Sequence, residues 1–373
     1  MDECAGRERE ISGVSGEREL SKRLLLVAYP LLPVSEASAG GAEQILCTLE
    51  RGLAARGWET VVAACAGSVV SGELMVTGEA PQELDGFAER EREHTERVVE
   101  ACANSEFAMV LDHSGHFYRH AARIRGCVLA TLHLPRALYG EDAFEGLAEN
   151  VCFNCVSDSQ RAEFMGLPQV MARVLGVVRN GIAVERFPLG GRRSDYVLWL
   201  GRVCPEKAPH LAIEAAKLAG VRIKVAGQVY PFRWHEDYWE QKVKPLIDGD
   251  QVQWVRLPSF TEKTRLLREA RALLVTSQVA ETTSLVALEA LASGTPVIAF
   301  GGGALSEVVP KGTGFIVGSV EEMAAACGRV SEIRALDCRE WVAREYSAGA
   351  MTDGYEALIA NLEEQKRWAE RRG

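Results

Sequence analysis

The sequence predicts an α/β protein built from two doubly wound domains, each with a parallel sheet. Two series of short apolar runs alternate with segments of helical periodicity, one series in each half of the chain. The 373 residues are enough for two domains, and 47% of them are apolar, which supplies a core for each. We therefore expect function where the strand ends of the two sheets face each other across a cleft.

The first series begins with a βαβ unit. Residues 23–29 form a short apolar run, residues 42–56 carry apolar side chains at helical spacing, and a β-branched run at 59–64 follows Gly57. Weaker strands are expected at 109–111, 128–131 and 152–156. The acidic segment 79–100 predicts a solvated helix or loop. The first domain is therefore predicted at 23–184, after a disordered tail at 1–22 that is charged and rich in glycine.

The second series supplies two further βαβ units. The first joins a strand at 196–201, a helix near 209–219 and a strand at 221–227. The second joins a strand at 273–276, a helix within 281–293 and a strand at 297–300. The second domain is predicted at 185–340, and an apolar pattern from Trp341 to Ile359 predicts a terminal helix within 341–373.

Composition excludes several classes of function. No apolar stretch approaches the ~20 residues of a membrane span, and the first residues lack the order of a secretory signal. Ten cysteines spread singly through apolar segments suit a reducing compartment, so a cytoplasmic protein is expected. The formal charge of −10 disfavours nucleic acid as a partner. The lone CxxC at 152–155 is read as a strand, and the spacing of His113, His116 and His120 matches no zinc site.

Two acids in one segment, Glu281 and Glu289, are the most informative pair. Glu289 is surrounded by apolar residues in a helix that should be buried, so its carboxylate needs a partner, and a polar ligand could be that partner. Glu281 precedes the first turn of this helix, beside backbone amides that can hold an anion.

Cations and glycines mark two loops that leave predicted strands. Arg202 and Lys207 lie in the loop after the strand at 196–201, where an open sheet meets its ligand, and two cations suit a diphosphate. Gly40 and Gly41 begin the first helix of the other domain and allow close approach of a phosphate. His133 follows the strand at 128–131, which is also a site position, although a lone histidine is often structural.

Together these residues give a resemblance to family 4 glycosyltransferases, which are retaining, depend on nucleotide sugars and have the GT-B fold of two Rossmann-like domains. The resemblance covers nearly everything after residue 22, and its motifs keep their order along the chain. The matching segments are 40–43, 131–133, 156–160, 179–182 with Phe187 and Pro188, 201–207, 281–297, 303–307 and 312–315.

The resemblance implies a role for each candidate residue. Arg202 and Lys207 would hold the donor diphosphate, with helix amides near Thr283 and Ser284. Glu281 would bind sugar hydroxyls, Glu289 the ribose, and His133 the sugar ring. No divalent metal and no other cofactor is then required, because cations and amides stabilise the leaving phosphate. The implied partners are a nucleotide-sugar donor and an unidentified hydroxyl acceptor. The fold also implies that the terminal helix returns to the first domain, the alternative being a helix on its own domain.

Two departures from the family concern the donor pocket. Thr283 and Ser284 stand where many relatives have Phe-Gly, and Ala208 stands where a glycine often follows the lysine. Two other functions stay open at this point. A nucleotide-sugar epimerase could use a comparable cleft but needs an acid and a base that the sequence does not identify. A scaffold that binds the donor without turnover is the third interpretation.

Overall fold

A computed structural model describes residues 22–38, 40–80, 87–190 and 193–370, with side chains up to residue 365. The predicted tail lies outside this part of the chain apart from its last residue. The first sheet has seven parallel strands in the order β3-β2-β1-β4-β5-β6-β7. These strands are β1 Arg23–Val27, β2 Glu59–Ala64, β3 Glu73–Val76, β4 Met109–Asp112, β5 Val128–Leu132, β6 Val151–Cys155 and β7 Val174–Val177.

The second sheet has six parallel strands in the order β10-β9-β8-β11-β12-β13. Both sheets bury apolar side chains on their two faces, which is the pattern of a doubly wound fold. The predicted fold class of two parallel α/β domains is therefore confirmed. The strands are β8 Tyr196–Arg202, β9 Arg222–Gln228, β10 Val252–Arg256, β11 Leu273–Val275, β12 Val297–Phe300 and β13 Gly314–Val317.

Helices cover both faces of each sheet. Those that precede the second sheet are α1 Gly41–Ala55, α2 Phe87–Asn104, α3 Asp158–Glu163 and α4 Pro168–Met171. The others are α5 Pro209–Leu218, α6 Arg233–Tyr238, α7 Phe260–Glu269, α8 Leu285–Ala292, α9 Leu305–Val308, α10 Val320–Cys327, α11 Ala335–Glu345 and α12 Ala348–Glu370. Among the described residues, no helix combines the length and the apolarity that a membrane crossing requires.

The helix predicted within 281–293 begins later than expected. Its first residue is Leu285, and Ser284 is its N-cap, so Glu281 lies in the loop before it. The two threonines before Ser284 have weaker helix propensity than the leucine-rich segment that follows. Gly294, with φ of +77°, ends the helix as the sequence predicted.

The predicted terminal helix is two helices that pack on different domains. α11 carries Trp341 and packs on α8 of the second domain, whereas α12 packs on α1 of the first domain. The break between them is held by Ile182, whose amide donates to the Tyr346 carbonyl at 2.9 Å and whose carbonyl accepts from the Ala348 amide at 2.8 Å. The crossing to the first domain thus begins at Ala348, not at Trp341.

Candidate active site

The candidate residues meet in a cleft between the two domains. His133 follows β5 in the first domain, and Glu281 lies before α8 in the second. The hydroxyl of Thr282 donates to the His133 carbonyl at 2.7 Å, so the two loops are in direct contact. The Asn180 amide lies 3.3 Å from the Thr283 hydroxyl and makes a second contact. The carboxyl ends of the two sheets therefore face each other, as the sequence analysis expected.

Lys207 and Glu281 form an ion pair at this cleft. The Lys207 ammonium donates to Oε1 of Glu281, whose side chain is only 10% exposed. The lysine's loop is held from below by the Thr276 hydroxyl, which donates to the carbonyl oxygens of Lys207 and Ala208 at 2.9 Å each. A cation and an acid that are 74 positions apart in sequence are thus positioned together.

Ala208 adopts a conformation that favours glycine. Its φ of 45° and ψ of 55° lie in the left-handed region, where a Cβ is unfavourable by roughly 1–2 kcal/mol. The residue is fully buried and precedes α5, so packing holds the strained backbone in place. Ala208, which stands where relatives often have glycine, therefore occupies a backbone conformation that suits glycine. The loop that carries Lys207 has less conformational freedom than it would have with a glycine at this position.

Arg202 lies at the end of β8 with an exposed side chain. Its guanidinium carbon is 5.6 Å from the centre of the Tyr230 ring. Within the described part of the chain it forms no ion pair with a carboxylate, in contrast to Lys207. Its positive charge is therefore available to an anion in the cleft.

Glu289 has a partner that the sequence analysis missed. The carboxylate is 5% exposed, and the Lys263 ammonium lies 2.6 Å from its Oε1. A polar ligand is therefore not needed as the partner of this carboxylate, because the chain itself supplies a cation. Lys263 is on α7, which begins after an N-cap Ser259 and places the lysine one turn into the helix, facing α8. The apolar pattern around Glu289 predicted its burial but carried no signal for a partner 26 residues earlier.

Gly40 and Gly41 lie where α1 approaches the second domain. A Cβ on Gly41 would be 3.4 Å from a methyl group of Leu285, the first residue of α8. A Cβ on Gly40 would overlap the carboxylate of Glu43, which folds back over the start of the helix. Glu43 is 5% exposed, and burial raises its pKa to about 7. The sequence analysis quoted Glu43 within its motif but gave it no role.

A small cavity of about 40 Å³ lies between α1 and the second domain. Its second-domain wall includes Glu289, Lys263 and Leu285, and its first-domain wall includes Gln44 and Thr48. In this conformation it has room for a few water molecules and would have to widen to hold a nucleoside. The remaining lining residues are Glu36, Ile45, Gly181, Ile182, Ala183, Arg186, Phe187 and Phe260.

Thr283 and Ser284 lie immediately before α8, which begins later than predicted. The Thr283 hydroxyl donates to the Thr282 carbonyl at 2.8 Å, and Ser284 is the buried N-cap, whose side chain makes no cap hydrogen bond. The first amides of α8 consequently have no side-chain acceptor from Ser284.

His133 pairs with another histidine. Its Nε2 lies 2.9 Å from Nδ1 of His113, which follows β4. Burial lowers the pKa of His133 to about 4 and that of His113 well below its usual value, so both rings are neutral near pH 7. His116 and His120 contact each other with ring centres 5.1 Å apart, away from this pair. The three histidines considered for a metal are thus divided between two places.

One group of side chains in the described ranges has the composition of a cation site. Ligand atoms of Cys204, Glu206 and His235 lie within 4.8 Å of one another. The pKa of His235 is lowered by burial and by the nearby positive charge of Arg202. The same guanidinium would repel a cation bound to these three side chains. That the protein needs no divalent metal stays our prediction.

Comparisons with known proteins agree with this architecture. Residues 194–332 match the family model described as "Glycosyl transferases group 1". Curated relatives include D-inositol 3-phosphate glycosyltransferases of Mycobacterium marinum, 28% identical over 243 residues and 60% of this chain, and of Mycobacterium bovis BCG, 28% identical over 300 residues and 72% of this chain. The matches span 51% and 61% of the length of those two relatives.

Solved structures resemble nearly the whole chain. Sucrose-phosphate synthase from Thermosynechococcus elongatus superposes with a TM-score of 0.76 at 19% identity, covering 92% of this chain and 99% of that one. Anabaena HepE in complex with UDP and glucose has a TM-score of 0.72 at 15% identity, covering 90% and 99%. AviGT4, a glycosyltransferase involved in avilamycin A biosynthesis, has a TM-score of 0.66 at 21% identity, covering 91% and 97%. These likenesses confirm the predicted GT-B fold.

Proposed function

We propose that the protein transfers a hexose-type sugar from a nucleoside diphosphate sugar to an acceptor hydroxyl with retention of anomeric configuration, and the match of residues 194–332 to the group 1 glycosyl transferase model supports this. The observation that carries the proposal is the hydrogen bond from Thr282, the residue after Glu281 of the Lys207–Glu281 ion pair, to the His133 carbonyl of the first domain. A cation for phosphate, an acid for sugar hydroxyls and a histidine beside them lie in one cleft.

In this proposal the diphosphate binds between Arg202, Lys207 and the first amides of α8. An ammonium has three donors, so Lys207 can keep Glu281 and still donate to a phosphate oxygen. Arg202 supplies a second cation that no carboxylate of the described residues neutralises through an ion pair. Negative charge develops on the leaving phosphate in the transition state, and prearranged cations and amides stabilise it.

The sugar and the nucleoside would occupy the two sides of this phosphate site. Glu281 would accept hydrogen bonds from sugar hydroxyls, with His133 near the ring. Glu289 has one carboxylate oxygen bound to Lys263 and would accept from ribose hydroxyls with the other. The small cavity lined by Glu289, Lys263 and Phe260 marks the proposed nucleoside site, which would widen as the domains separate to admit the donor. Gly40 and Gly41 would let the backbone of α1 approach the donor from the first domain.

A UDP-sugar is the first donor to test, because the HepE structure holds UDP and glucose in a fold of the same kind. Binding is measured by calorimetry with a panel of nucleotide sugars, and transfer is measured with the donors that bind and a panel of hydroxyl acceptors. Formation of a new sugar isomer from the donor alone would indicate an epimerase, and binding without turnover would indicate a scaffold. Failure of every nucleotide sugar to bind would contradict the proposal.

Single variants test the assigned residues. Lys207→Ala and Glu281→Ala are expected to lower kcat/KM at least a hundredfold, because each removes a group that faces the reacting part of the donor. Lys244→Ala and Glu240→Ala are matched controls, since these residues form an exposed ion pair of the same types at 2.8 Å in the same domain. Activity of Lys207→Ala or Glu281→Ala equal to that of the controls would remove the assignment.

Two finer points have their own measurements. Proton NMR of the first-formed product gives the anomeric configuration, and inversion would contradict the retaining mechanism. Transfer assayed after treatment with EDTA should proceed at the untreated rate, because the proposed site uses cations of the chain in place of a divalent ion. We name no general base, since no group in the cleft is identified as one by its contacts.

A further inference from the structure

The contact between His113 and His133 joins two loops at the carboxyl ends of neighbouring strands. His113 follows β4, His133 follows β5, and the strands are adjacent and parallel. Nδ1 of His113 lies 2.9 Å from Nε2 of His133, and the ring centres are 5.1 Å apart. His113 is 2% exposed, whereas His133 is partly exposed. A buried ring therefore contacts the inner nitrogen of a ring at the proposed active site.

A hydrogen bond between two neutral imidazoles has one donor and one acceptor. A neutral ring carries one hydrogen, so the location of the shared hydrogen fixes the tautomer of both rings. The two possibilities are that His113 donates from Nδ1, or that His133 donates from Nε2. They leave His133 with opposite properties at Nδ1, a donor in the first case and an acceptor in the second.

The other nitrogen of His113 distinguishes the two arrangements. Its Nε2 is buried and has no hydrogen-bond partner among the described residues. If His133 donated, this Nε2 would carry a hydrogen, and orphaned buried N–H groups are rare in folded proteins. If His113 donates from Nδ1, the buried Nε2 keeps only a lone pair, and the hydrogen of His133 moves to its other nitrogen.

We propose that His113 is a positioning residue that donates from Nδ1 to Nε2 of His133 and thereby holds His133 as the Nδ1–H tautomer. His133 then presents a hydrogen-bond donor at Nδ1 and cannot accept a proton at Nε2 without losing the bond to His113. The tautomer rests on the histidine contact and on the buried Nε2 of His113, which has no hydrogen-bond partner among the described residues. The consequence for a sugar substrate, a neutral donor to a hydroxyl or ring oxygen, rests on the proposed function.

Tyr355 on α12 holds His113 from the other side. The two ring centres are 5.7 Å apart, and the Tyr355 hydroxyl lies 2.7 Å from that of Thr131 on β5. The crossing helix thus forms the wall behind the histidine pair. This wall gives a control, because Tyr355→Phe keeps the ring against His113 and removes only the hydroxyl.

The experiment is a long-range ¹H–¹⁵N correlation spectrum of the full chain with labelled histidine at pH 7.5, without any substrate. The His133 signals are assigned by their loss in His133→Gln. The expected result is a protonated Nδ1 and an unprotonated Nε2 in His133, unchanged in Tyr355→Phe. A protonated Nε2 in His133 of the wild type would overturn the proposal.

Two variants of His113 separate hydrogen bonding from packing. The amide nitrogen of an Asn can occupy the place of Nδ1 and donate, whereas Leu fills space without donating. His113→Asn should keep the single Nδ1–H tautomer of His133, and His113→Leu should give a mixture. If His113→Leu does not fold, the spectrum of the wild type still decides.

Kinetics with a nucleotide sugar provide the second measurement. His113→Leu is expected to lower kcat/KM about tenfold, and His113→Asn should stay within about threefold of the wild type. Absence of transfer with every donor, together with the expected spectrum, would contradict the proposed function and leave the tautomer standing. Transfer that is equally fast in both variants would overturn the role of His113 in the reaction.

Discussion

Glu43 and Glu289 are buried to the same degree, yet their surroundings differ. Each is 5% exposed. Glu289 is paired with Lys263, whereas the described residues provide Glu43 with no cation within ion-pair distance. Burial consequently raises the pKa of Glu43 to about 7 from an ordinary value of 4.5. Removing the charge of Glu43 should therefore stabilise the folded state, whereas removing the charge of Lys263 beside Glu289 should destabilise it.

The Glu43→Gln variant should remove a pH dependence of stability. Between the unfolded pKa of 4.5 and the folded value of about 7, the folded state keeps a proton that the unfolded state releases, so rising pH destabilises the wild type. The variant should be more stable than the wild type by roughly 2–3 kcal/mol at pH 8 and nearly equal to it at pH 4. Urea unfolding at the two pH values measures this difference. A stability gap independent of pH would contradict the shifted pKa.

Lys263→Met should destabilise the fold by about 3 kcal/mol, because it leaves the Glu289 carboxylate buried without its cation. Adding Glu289→Gln in the same chain should restore most of the loss. Lys244→Met, which breaks an exposed pair with Glu240, is the control and should change stability by less than about 1 kcal/mol. Equal effects of the two lysine variants would show that Glu289 is solvated.

For single residues, the sequence predicted which side chains would lie in the candidate site but not which side chains they would contact. The apolar neighbours of Glu289 predicted its burial, because burial follows from local pattern. Its bond to Lys263 and the bond between His133 and His113 depend on how helices and strand ends are placed side by side. No local pattern encodes that placement, so both contacts had to come from the structure.

The crossing of α12 over α1 depends on a small residue in α1. A Cβ on Gly52 of α1 would overlap the Thr352 hydroxyl of α12. The two helices share one apolar cluster with β1, which includes Tyr355 and Leu49. Thr352 is fully buried, and its hydroxyl already donates to the Ala348 carbonyl at 2.8 Å. The side chain therefore has little freedom to move aside.

Gly52→Ala should destabilise the protein by about 1–3 kcal/mol, because the added methyl group overpacks this crossing. Gly349→Ala is the matched control on α12. The nearest atom to its added Cβ lies 3.9 Å away, and alanine favours a helix, so it should stabilise by about 0.5–1 kcal/mol. Thermal unfolding followed by circular dichroism measures both, and the same sign for the two variants would exclude close helix packing as the cause.

The sequence predicted central elements better than edge elements. The strands at 23–27 and 297–300 were predicted from continuous apolar runs because both faces of a central parallel strand are buried. β3, β7 and β10 lie at sheet edges, are only partly buried and were missed. The break after Tyr346 was also missed, since apolar residues continue on both sides of it and only the contact with Ile182 marks it.

At the scale of the whole molecule, polar contacts connect the domains around the cleft. Glu307 of α9 accepts from the amides of Asp158 and Ser159 at 3.1 and 2.7 Å, where α3 of the first domain begins. Glu36 of the first domain lies 2.7 Å from Arg186 of the connecting segment. The carboxylate of Glu307 thus satisfies helix amides that belong to the other domain.

Glu307→Ala should loosen the association of the domains without unfolding either one, because it exposes helix amides to water and removes no core side chain. Small-angle X-ray scattering should then give a larger radius of gyration than that of the wild type. Glu322→Ala is the control, since Glu322 accepts from the Gly318 amide at 2.7 Å within one domain. An unchanged radius of gyration in Glu307→Ala would show that the other contacts suffice.

In the part of the chain that the structure describes, the backbone passes between the domains twice, once in the segment before β8 and once at the break between α11 and α12. Two such connections together act as a hinge between the domains. The two domains can rotate about the line that joins the two connections, whereas rotation about any other axis is suppressed. Cleavage of the backbone in either connection would leave the domains joined by a single flexible segment, so their rotation would no longer be confined to one axis even though both domains stayed folded.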